Sequence, residues 1–568
     1  MYAKQKAKQE IVAALKRAIG KGYTVQAAAL ETPKKKEMGD IAFPCFELAK
    51  GQKRNPVEIA TEIAAKIGGG EIIKSAKADG PYVNFFLKNE VYTEGVLEDV
   101  AQKKRIYGAA TIGEGTKILL EYAQPNTHKE FHVGHIRNGI LGQAIVNVLR
   151  ANGYEVTAAS YIGDIGAHVA KAIWGMETFH KGEKFEKNEQ AKRIGEIYAE
   201  ASAYLNDHPE VKPEIDDVQK KLEAREEPWA SKWKETRGWC LEAFKEIFAE
   251  LQIKPDTYYY ESEVEGPGKE MVKKMLTDGI AKKSDGAVIV DLEEDSLDIF
   301  LILKSDGSSL YATKDLALAY KKEKDHNPDR QIIVTDDRQS FYFKQLFTTL
   351  KRMDFKASLT HIPYEMVNLP DGTMSSRSGN IVTFDNLKAD MTHKLIEETK
   401  KRHEDWDEKK IKKTAHALAI ASMQFMMLRQ DPNSIITFDM DEALSFDGVT
   451  APYIMYSLAR ISSIEKKTKV RAKYASGDLK HPLEQELIRM LAQYPSVVER
   501  VGSSFQISSI AMWAYDCAKL FSEYYHEVKL LDEKGEDVLA SRLALLASIK
   551  KTINNALSLL GIDTIDEM

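Results

Sequence analysis

The sequence predicts a doubly wound α/β domain that carries an inserted helical segment and lies between a small α+β domain and an all-α domain. Three observations support this prediction. Residues 117–123 and 154–162 have strand-like patterns, and one amphipathic helical pattern separates them. The charged, helix-like residues of about 178–265 interrupt this order, and strand-like runs resume after them. From about residue 410 onward the pattern is helical almost throughout.

The composition fits a globular protein of a reducing compartment. The 568 residues, 43% of them hydrophobic, suffice for about two to four domains with real cores. The net charge of −6 neither requires nor excludes a nucleic-acid partner, because a basic patch can lie within an acidic total. Cys45, Cys240 and Cys517 form no CxxC pair, so no zinc or disulfide framework is expected. The sequence has no signal-type apolar core and no apolar run of membrane-spanning length, and we expect a cytoplasmic protein.

The small first domain is expected over residues 1–110. A helical pattern around residues 5–19 stops at the glycines that follow it. A second helix is expected after Asn55-Pro56, a capping residue followed by proline at the first helical position. The segment "GPYVNFFL" (80–87) alternates as a strand does.

The second domain is expected over residues 111–444 and begins as a strand–helix–strand unit. "KILLEYA" (117–123) is nearly continuously apolar, as in a strand buried on both faces. The helix that follows should end at Asn152-Gly153. Parallel strands joined by a helix place a ligand site at the strands' carboxyl ends. The stretch "HVGH" (132–135) lies at that position, at the N-terminus of the helix.

Two imidazoles at this turn could form a metal site, an acid–base pair or a phosphate site. An isolated HxGH most often supplies helix-cap or core histidines. Further ligands at zinc spacing are absent nearby, which disfavours a metal. A helix N-terminus attracts anions, Gly134 lets the backbone approach closely, and Lys129 adds a cation, which together favour phosphate.

The later part of the second domain contains the strands with which the sheet is expected to resume. The candidates are "GAVIVDL" (286–292), "IFLILKSDG" (299–307), "RQIIVTD" (330–336) and "LTHIPYEMV" (359–367). The helical third domain is expected over residues 445–568.

Three further features of the sequence suggest a functional role, but each also has a common structural explanation. Tyr311 and Asp315, four residues apart, would share a helix face and could receive a guanidinium, although in such a segment taken alone a helix N-cap acid and a half-buried tyrosine are the more common explanation. "DGTMSSRSGN" (371–380) reads as a polar loop. The basic runs at 34–36, 409–413 and 465–473 and the aromatic residues near the C-terminus could contact nucleic acid, but such residues are more often solvated faces or core.

Taken together, these segments resemble the class I arginyl-tRNA synthetases over essentially the whole chain. The most specific match is "EYAQPNTHKEFHVGHIRN", which is similar to the family's Glu, Pro-Asn, Lys and HxGH pattern. "YIGDIGAH", "SDGSSLYATKDLA", "VTDDRQSFYFKQL" and "TMSSRSGN", the counterpart of the KMSKS loop, resemble its later segments. "GDIAFP" and "GPYVNFF" resemble its N-terminal addition, and "LSLLGIDTIDEM" its C-terminal residues.

The resemblance implies a Rossmann-type catalytic domain, an N-terminal tRNA-contacting domain and a DALR-type anticodon-binding bundle. It implies an ATP-dependent ligase of protein biosynthesis that forms arginyl-adenylate, releases pyrophosphate and transfers arginine to the 3′-terminal ribose of tRNA(Arg). ATP would enter as its Mg²⁺ complex, with no tightly bound cofactor and no protein metal site. The implied partners are tRNA(Arg), L-arginine and ATP, with no membrane, and a monomer is expected.

The resemblance also implies roles for single residues. It places ATP phosphates on His132 and His135, and the adenine close to the backbone of Gly134. The implied arginine pocket contains Glu121 and Asn126 at the α-amino and carboxylate ends, Asp315 and Tyr311 at the guanidinium, and Gln339. The implied loop over the phosphates contains Met374, Ser375, Ser376 and Arg377, and the implied tRNA contacts are Tyr82 and Asn84.

This chain departs from the family pattern at two places. Thr373 and Ser376 stand where the KMSKS loop has its lysines, and Arg377 lies one residue beyond the second. Either Lys129 or Arg377 would then supply the missing cation. Tyr342 stands where many relatives have histidine.

Two other interpretations remain at this stage. One is another class I synthetase or a small nucleotidyltransferase, which the chain length and the Tyr311/Asp315 pair disfavour. The other is a non-catalytic tRNA-binding paralogue, suggested by the altered loop and disfavoured by the intact HVGH stretch.

Overall fold

The fold is that of a computed structural model, which describes residues 1–20, 23–33, 35–369, 372–373, 382–474, 478–565 and 567–568. The N-terminal region contains α1 (Ala3–Ile19), β1 (Ile41–Pro44), α2 (Phe46–Gln52), α3 (Pro56–Lys66), β2 (Ile73–Asp79), β3 (Tyr82–Leu87) and α4 (Asn89–Lys103). Its strands form an antiparallel sheet in the order β1-β3-β2. Asn55 caps α3 by accepting from the Val57 N–H at 2.9 Å, as the Asn-Pro pair predicts.

The helix α4 lies within the predicted first domain but packs with later parts of the chain. The core of the N-terminal sheet and α1 ends at Leu87. Val96, Leu97 and Val100 of α4 instead join the large core that contains the parallel sheet and the C-terminal helices. The two hydrophobic cores therefore divide before α4, whereas the sequence predicted the domain boundary after it, at residue 110.

The middle region contains the five-stranded parallel sheet and its connections. Its elements are β4 (Lys117–Glu121), α5 (Val133–Ala151), β5 (Glu155–Ile162), α6 (Ala167–Phe179), α7 (Gln190–Asp207), α8 (Lys212–Glu223), α9 (Trp229–Glu250), β6 (Thr257–Tyr260), α10 (Glu261–Thr277), β7 (Lys282–Ser284), β8 (Ala287–Asp291), β9 (Ile299–Leu303), α11 (Tyr311–His326), β10 (Arg330–Asp336), α12 (Ser340–Arg352), β11 (Ser358–Tyr364), β12 (Val367–Leu369), β13 (Gly372–Thr373), α13 (Phe384–Arg402), α14 (Glu408–Leu428), β14 (Ile436–Thr437) and α15 (Met440–Leu444).

Five of the described strands form a parallel sheet in the order β11-β10-β4-β5-β6. The chain leaves β4 toward β5 on one side and returns through β10 on the other. The strand order therefore reverses between β4 and β10, where open α/β sheets bind ligands. The helix α5 starts at this point and ends at the cap residue Asn152, as predicted.

The inserted helices form their own small core, and the predicted end of the insertion needs correction. Helices α6, α7, α8 and α9 pack around Ile173, Val218 and Trp233. The predicted insertion ran to about residue 265, but β6 (Thr257–Tyr260) pairs with β5 and closes one edge of the sheet. A strand of four residues next to charged helices has too short a pattern to be recognised in sequence.

Two predicted strands do not join the parallel sheet. "GAVIVDL" and "IFLIL" form β8 and β9 of a separate antiparallel sheet in the order β7-β8-β9, packed against α10, α11 and α12. The pattern of β9 alternates, with Phe300 and Ile302 buried and Ile299 and Leu301 exposed. Such alternation is typical of an antiparallel strand that has one buried face and one solvent-exposed face.

The C-terminal region is helical and packs closely on the rest. It contains α16 (Ala451–Lys467), α17 (Pro482–Ser504), α18 (Ser508–Glu527) and α19 (Glu536–Leu559). The Tyr107 hydroxyl donates to the Leu491 carbonyl at 2.9 Å, and the Asn152 amide donates to the Val498 carbonyl at 3.0 Å. Among the described residues, no helix is long and apolar enough to cross a membrane.

Candidate active site

A cleft of about 970 Å³ opens at the carboxyl edge of the parallel sheet, where the strand order reverses. Among its lining residues are eight that the sequence singled out: Glu121, Asn126, His132, Gly134, His135, Tyr311, Asp315 and Gln339. These residues come from the ends of β4 and β10, the start of α5 and the start of α11. The structure thus brings together positions that are more than 200 residues apart in the chain.

The two histidines of HVGH cap α5. His132 is the N-cap residue, and its Nδ1 accepts from the Gly134 N–H at 3.1 Å. Nδ1 of His135 accepts from the His132 N–H at 3.3 Å. The two rings stack with centroids 3.9 Å apart and planes at 24°. Because both Nδ1 atoms accept, each neutral ring carries its proton on Nε2, which leaves two N–H donors for a ligand.

Both rings are neutral at physiological pH. Burial, and then the charge of Lys129, lowers the pKa of His132 to about 4. Burial lowers the pKa of His135 well below its usual range, and His132 and Lys129 lower it further. The pair therefore offers hydrogen bonds to an anion without bringing a positive charge of its own. Among the described residues, no cluster of His, Cys, Asp and Glu could hold a metal ion, so the metal interpretation gains no support there.

Asp315 differs from the other buried carboxylates of the cleft because it has no lysine or arginine partner among the described residues. Glu121 forms an ion pair with Lys322 and also accepts from the Gln124 amide at 2.8 Å. Glu261 is paired with Lys314 at 2.5 Å. Within the described part of the chain, Asp315 forms no ion pair. In a cleft whose other buried carboxylates are neutralised, Asp315 is the natural receptor for a cationic ligand.

Tyr342 is the hydrogen-bond partner of Asp315. Its hydroxyl donates to Asp315 Oδ2 at 2.5 Å. Burial raises the pKa of Asp315 to about 7, the Tyr342 hydrogen bond opposes that shift, and Glu121 adds to it. The Tyr311 ring, 68% exposed, stands at the mouth of the cleft one helical turn before Asp315.

Sequence reasoning missed four cleft residues. Lys322 and Glu261 form ion pairs with residues of other elements, and no sequence pattern predicts those ion pairs. Tyr161 lines the cleft with a buried hydroxyl that has no hydrogen-bond partner in the described part of the chain. Arg137 is buried and donates to the Met427 carbonyl, which ties α5 to α14. Tyr161 and Arg137 lie within quoted motifs, which is the signal that could have identified them.

Lys129 does not line the cleft. Its ammonium lies 5.3 Å from the ring centroid of Tyr198 on α7. The loop residues Met374, Ser375, Ser376 and Arg377 lie outside the described residues. The described chain resumes beside HVGH, because the Val133 N–H donates to the Val382 carbonyl at 3.1 Å.

The predicted tRNA contacts lie on the N-terminal sheet. Tyr82 is partly exposed at the start of β3, and its ring meets that of Phe46 edge-on at 5.6 Å. Asn84 is only 2% exposed. A direct contact through Asn84 would therefore need the side chain to leave its buried position, whereas the Tyr82–Phe46 pair is accessible.

Comparison with known proteins gives the family of the chain. The model for "tRNA synthetases class I (R), catalytic domain" matches residues 96–439. An arginine–tRNA ligase of Bdellovibrio bacteriovorus is 36% identical, with 98% of each chain covered. The chain belongs to the arginyl-tRNA synthetase family. Two further models match both ends, the arginyl-tRNA synthetase N-terminal domain at residues 5–87 and the DALR anticodon-binding domain at 454–568.

Other arginyl-tRNA synthetases agree with this family assignment and with the fold. An arginine–tRNA ligase of Treponema denticola is 34% identical, covering 95% of this chain and 94% of its own. The arginyl-tRNA synthetase of Thermus thermophilus has the same fold, with a TM-score of 0.82 at 24% identity over 99% of this chain and 100% of the other. The predicted class I fold, with its N-terminal domain and its helical C-terminal domain, is confirmed.

Proposed function

We propose that the cleft at the carboxyl edge of the sheet is where this enzyme activates L-arginine with ATP. The family charges tRNA with arginine, and this chain does so as an arginine–tRNA ligase. The observation that carries the proposal for the site is that a single cleft is lined by both HVGH histidines and by the carboxylate of Asp315, which has no cationic partner among the described residues. The comparisons favour neither a different synthetase nor a non-catalytic paralogue.

The arginine subsite is proposed around Asp315. Its carboxylate would accept the guanidinium, over which the Tyr311 ring can pack. Glu121 and Asn126 would face the α-amino and carboxylate ends of arginine, and Gln339 would complete the pocket. Glu121 already contacts Lys322, so we infer that arginine's ammonium shares this carboxylate with the lysine.

The ATP subsite is proposed at the start of α5. The Nε2–H groups of His132 and His135 would donate to phosphate oxygens, and Gly134 would let adenine approach the backbone. Donors fixed in advance stabilise the charge that gathers on a pentavalent phosphorus, where little covalent chemistry by the protein is needed. Mg²⁺ would arrive with ATP as part of the substrate complex, and no tightly bound cofactor is proposed.

A further cation is proposed for the transition state. Lys129 and Arg377 are the two candidates for replacing the lysines absent from the loop that contains Met374, Ser375 and Ser376. Lys129 is favoured because its charge already lowers the pKa values of both HVGH histidines, in each case after the effect of burial. An ammonium close enough to do so can also act on the phosphates that these rings would hold.

The tRNA(Arg) surface is proposed to involve both terminal regions. Tyr82, together with the buried Asn84 if it becomes exposed, would contact the tRNA from the N-terminal sheet, and the C-terminal helices would bind the anticodon. We further propose that the enzyme acts as a monomer in the cytoplasm.

An amino-acid panel tests the proposed activity. Purified enzyme with ATP and total tRNA should charge arginine, and it should charge lysine, citrulline or methionine at least about 10³-fold less efficiently, since a missing guanidinium leaves Asp315 unpaired. Equal charging of citrulline would contradict the role of a buried carboxylate in the pocket. Charging of another amino acid in place of arginine would overturn the proposed function.

A further inference from the structure

The inserted helix α7 packs directly on the turn that precedes HVGH. Gly195 on α7 faces the backbone of Lys129 and Glu130, and a Cβ atom at Gly195 would lie 3.2 Å from the Glu130 nitrogen and 2.9 Å from its Cγ. A glycine at this position therefore allows an approach that a larger residue would hinder. The insertion is thus in contact with the segment that carries the proposed catalytic lysine.

One turn along α7, the ring of Tyr198 lies close to two lysines. The ammonium of Lys129 is 5.3 Å from the ring centroid, and that of Lys171, on α6, is 5.4 Å from it. In the described part of the chain, neither lysine forms an ion pair or a side-chain hydrogen bond. The π face of Tyr198 is therefore the favourable contact that these two ammonium groups have in common.

Lys129 lies three residues before His132 in the chain, and its ammonium is 5.3 Å from the centroid of the Tyr198 ring. Its charge lowers the pKa values of His132, His135 and His168, in each case as a smaller effect than burial. Tyr198 therefore does not draw the lysine away from the candidate site. It limits where a flexible side chain of four methylene groups can place its charge.

We propose that Tyr198 is a positioning residue, through which the inserted helix α7 holds the ammonium of Lys129 beside the phosphates. The proposal rests on the catalytic role proposed for Lys129. A lysine on a turn loses side-chain freedom when it is ordered, and a ring that holds it beforehand removes that loss from the reaction. Tyr198 would act on the rate and not on arginine binding, because the ring faces Lys129 and does not line the cleft.

Substitutions at Tyr198 test the proposal in the full-length enzyme. Tyr198→Leu removes the π face and should lower kcat of arginylation about tenfold, while the arginine KM stays within about twofold. Tyr198→Phe keeps the ring and should restore kcat to within about twofold of wild type. The matched control is Tyr204→Leu on the same helix, whose ring contacts Trp174, Phe179 and His208, and it should leave kcat unchanged.

The double variant Tyr198→Leu with Lys129→Ala shows whether a negative result contradicts the positioning role of Tyr198 or the catalytic role proposed for Lys129. If both proposals hold, Tyr198→Leu adds no further loss to Lys129→Ala. A low kcat for Lys129→Ala with a normal kcat for Tyr198→Leu overturns the positioning role alone. A normal kcat for Lys129→Ala overturns the role of Lys129 and this proposal with it. Equal losses from Tyr198→Leu and Tyr198→Phe, or independent losses in the double variant, also overturn the positioning role.

A second variant covers the case in which Tyr198→Leu destabilises the fold. If Tyr198→Leu lowers the thermal midpoint more than Tyr204→Leu does, Tyr198→Met replaces it in the same comparison. Methionine has no π face, and its unbranched, flexible side chain fills irregular gaps better than leucine does. A wild-type kcat for a folded Tyr198→Met enzyme would overturn the proposal.

Discussion

At the scale of single residues, the cleft is organised by charge pairing. Buried carboxylates are costly unless a cation or hydrogen bonds compensate them. Glu121 and Glu261 each have a lysine, whereas Asp315 has the hydroxyl of Tyr342. Within the described residues, Asp315 is thus the buried cleft carboxylate without a lysine or arginine partner, which suits the guanidinium contact proposed for it.

Asp315→Asn keeps the shape of the side chain and removes its charge. A charge-assisted contact of this kind is worth roughly 1.5–3 kcal/mol, so we expect the arginine KM to rise about tenfold or more. The KM for ATP should change little. Steady-state charging at varied arginine measures this effect, with Asp325→Asn on the exposed end of the same helix as control. An arginine KM unchanged in Asp315→Asn would remove this residue from the pocket.

Arginine binding should depend on pH near neutrality. The pKa of Asp315 is about 7, and only its ionised form attracts a guanidinium. The arginine KM should therefore fall as pH rises from 6 to 8 and level off above that range. Tyr342→Phe removes a hydrogen bond that lowers this pKa, so it should move the profile to higher pH. A KM profile that is flat across this range, or one that Asp315→Asn leaves unchanged, would show that another group titrates.

Lys129→Ala tests the proposed cation. Loss of one electrostatic stabiliser typically lowers kcat by about 10²–10³, and the arginine KM should move little because the contact arises with the transition state. Thr373→Lys or Ser376→Lys, which restore the family's loop lysines, should recover part of the loss. The kcat of steady-state arginylation measures the loss, and single-turnover activation shows whether it lies in the chemical step. A kcat within about threefold of wild type would point to Arg377 instead.

At the scale of elements, the close packing of α5 determines where HVGH lies. A Cβ atom at Gly142 would come within 2.3 Å of Tyr122, which follows β4. The helix therefore needs a small residue here to lie close to the strand that ends at Glu121. The distance between the proposed phosphate-binding end of α5 and the proposed arginine pocket depends on this contact.

Gly142→Ala should destabilise the protein although alanine favours helices. The helix-propensity gain is about 1 kcal/mol, whereas overpacking of a close contact costs about 1–3 kcal/mol and displaces α5. We expect a lower thermal midpoint and a reduced kcat. Gly238→Ala is the matched control, because nothing lies within 4 Å of its Cβ position on α9, and it should raise the midpoint slightly. Equal midpoints for the two variants would refute the packing argument.

At the scale of the whole molecule, the C-terminal helices share a core with the catalytic region. Helices α17 and α19 pack on α4 and α5, and the helix that begins at HVGH is therefore buried between the sheet and the C-terminal bundle. A tRNA that binds α17 or α19 would contact a helix that packs directly on α5. This arrangement offers a physical route by which tRNA binding could alter the activation site.

Activation is predicted to require tRNA. The family mostly needs bound tRNA before it activates the amino acid, and this chain has both flanking domains of the family. ATP–pyrophosphate exchange with arginine should be negligible without cognate tRNA and should appear when it is added. A tRNA of another amino acid serves as control. Robust exchange in the absence of tRNA would sink this prediction.

Much of the fold and part of the site could be predicted from sequence. The helix after HVGH, its end at Asn152 and the helical C-terminal region have long periodic patterns or strong caps, which are local signals. The strand β6 and the separate β7-β8-β9 sheet could not be assigned in the same way. Strand partners depend on contacts between distant segments, which periodicity does not record.

The sequence by itself determined the family, the order of the domains and the position of HVGH at the start of a helix, because those properties are written in motifs and in spacing along the chain. Only the tertiary structure decided which buried charges are paired. Lys322 meets Glu121 across 201 residues, Tyr342 meets Asp315, and Tyr198 of the insertion meets Lys129. The pKa of Asp315, about 7, follows first from its burial and then from its neighbours Tyr342, Glu121 and Lys322. Desolvation and pairing are properties of the packed interior, and a single segment read alone does not contain them.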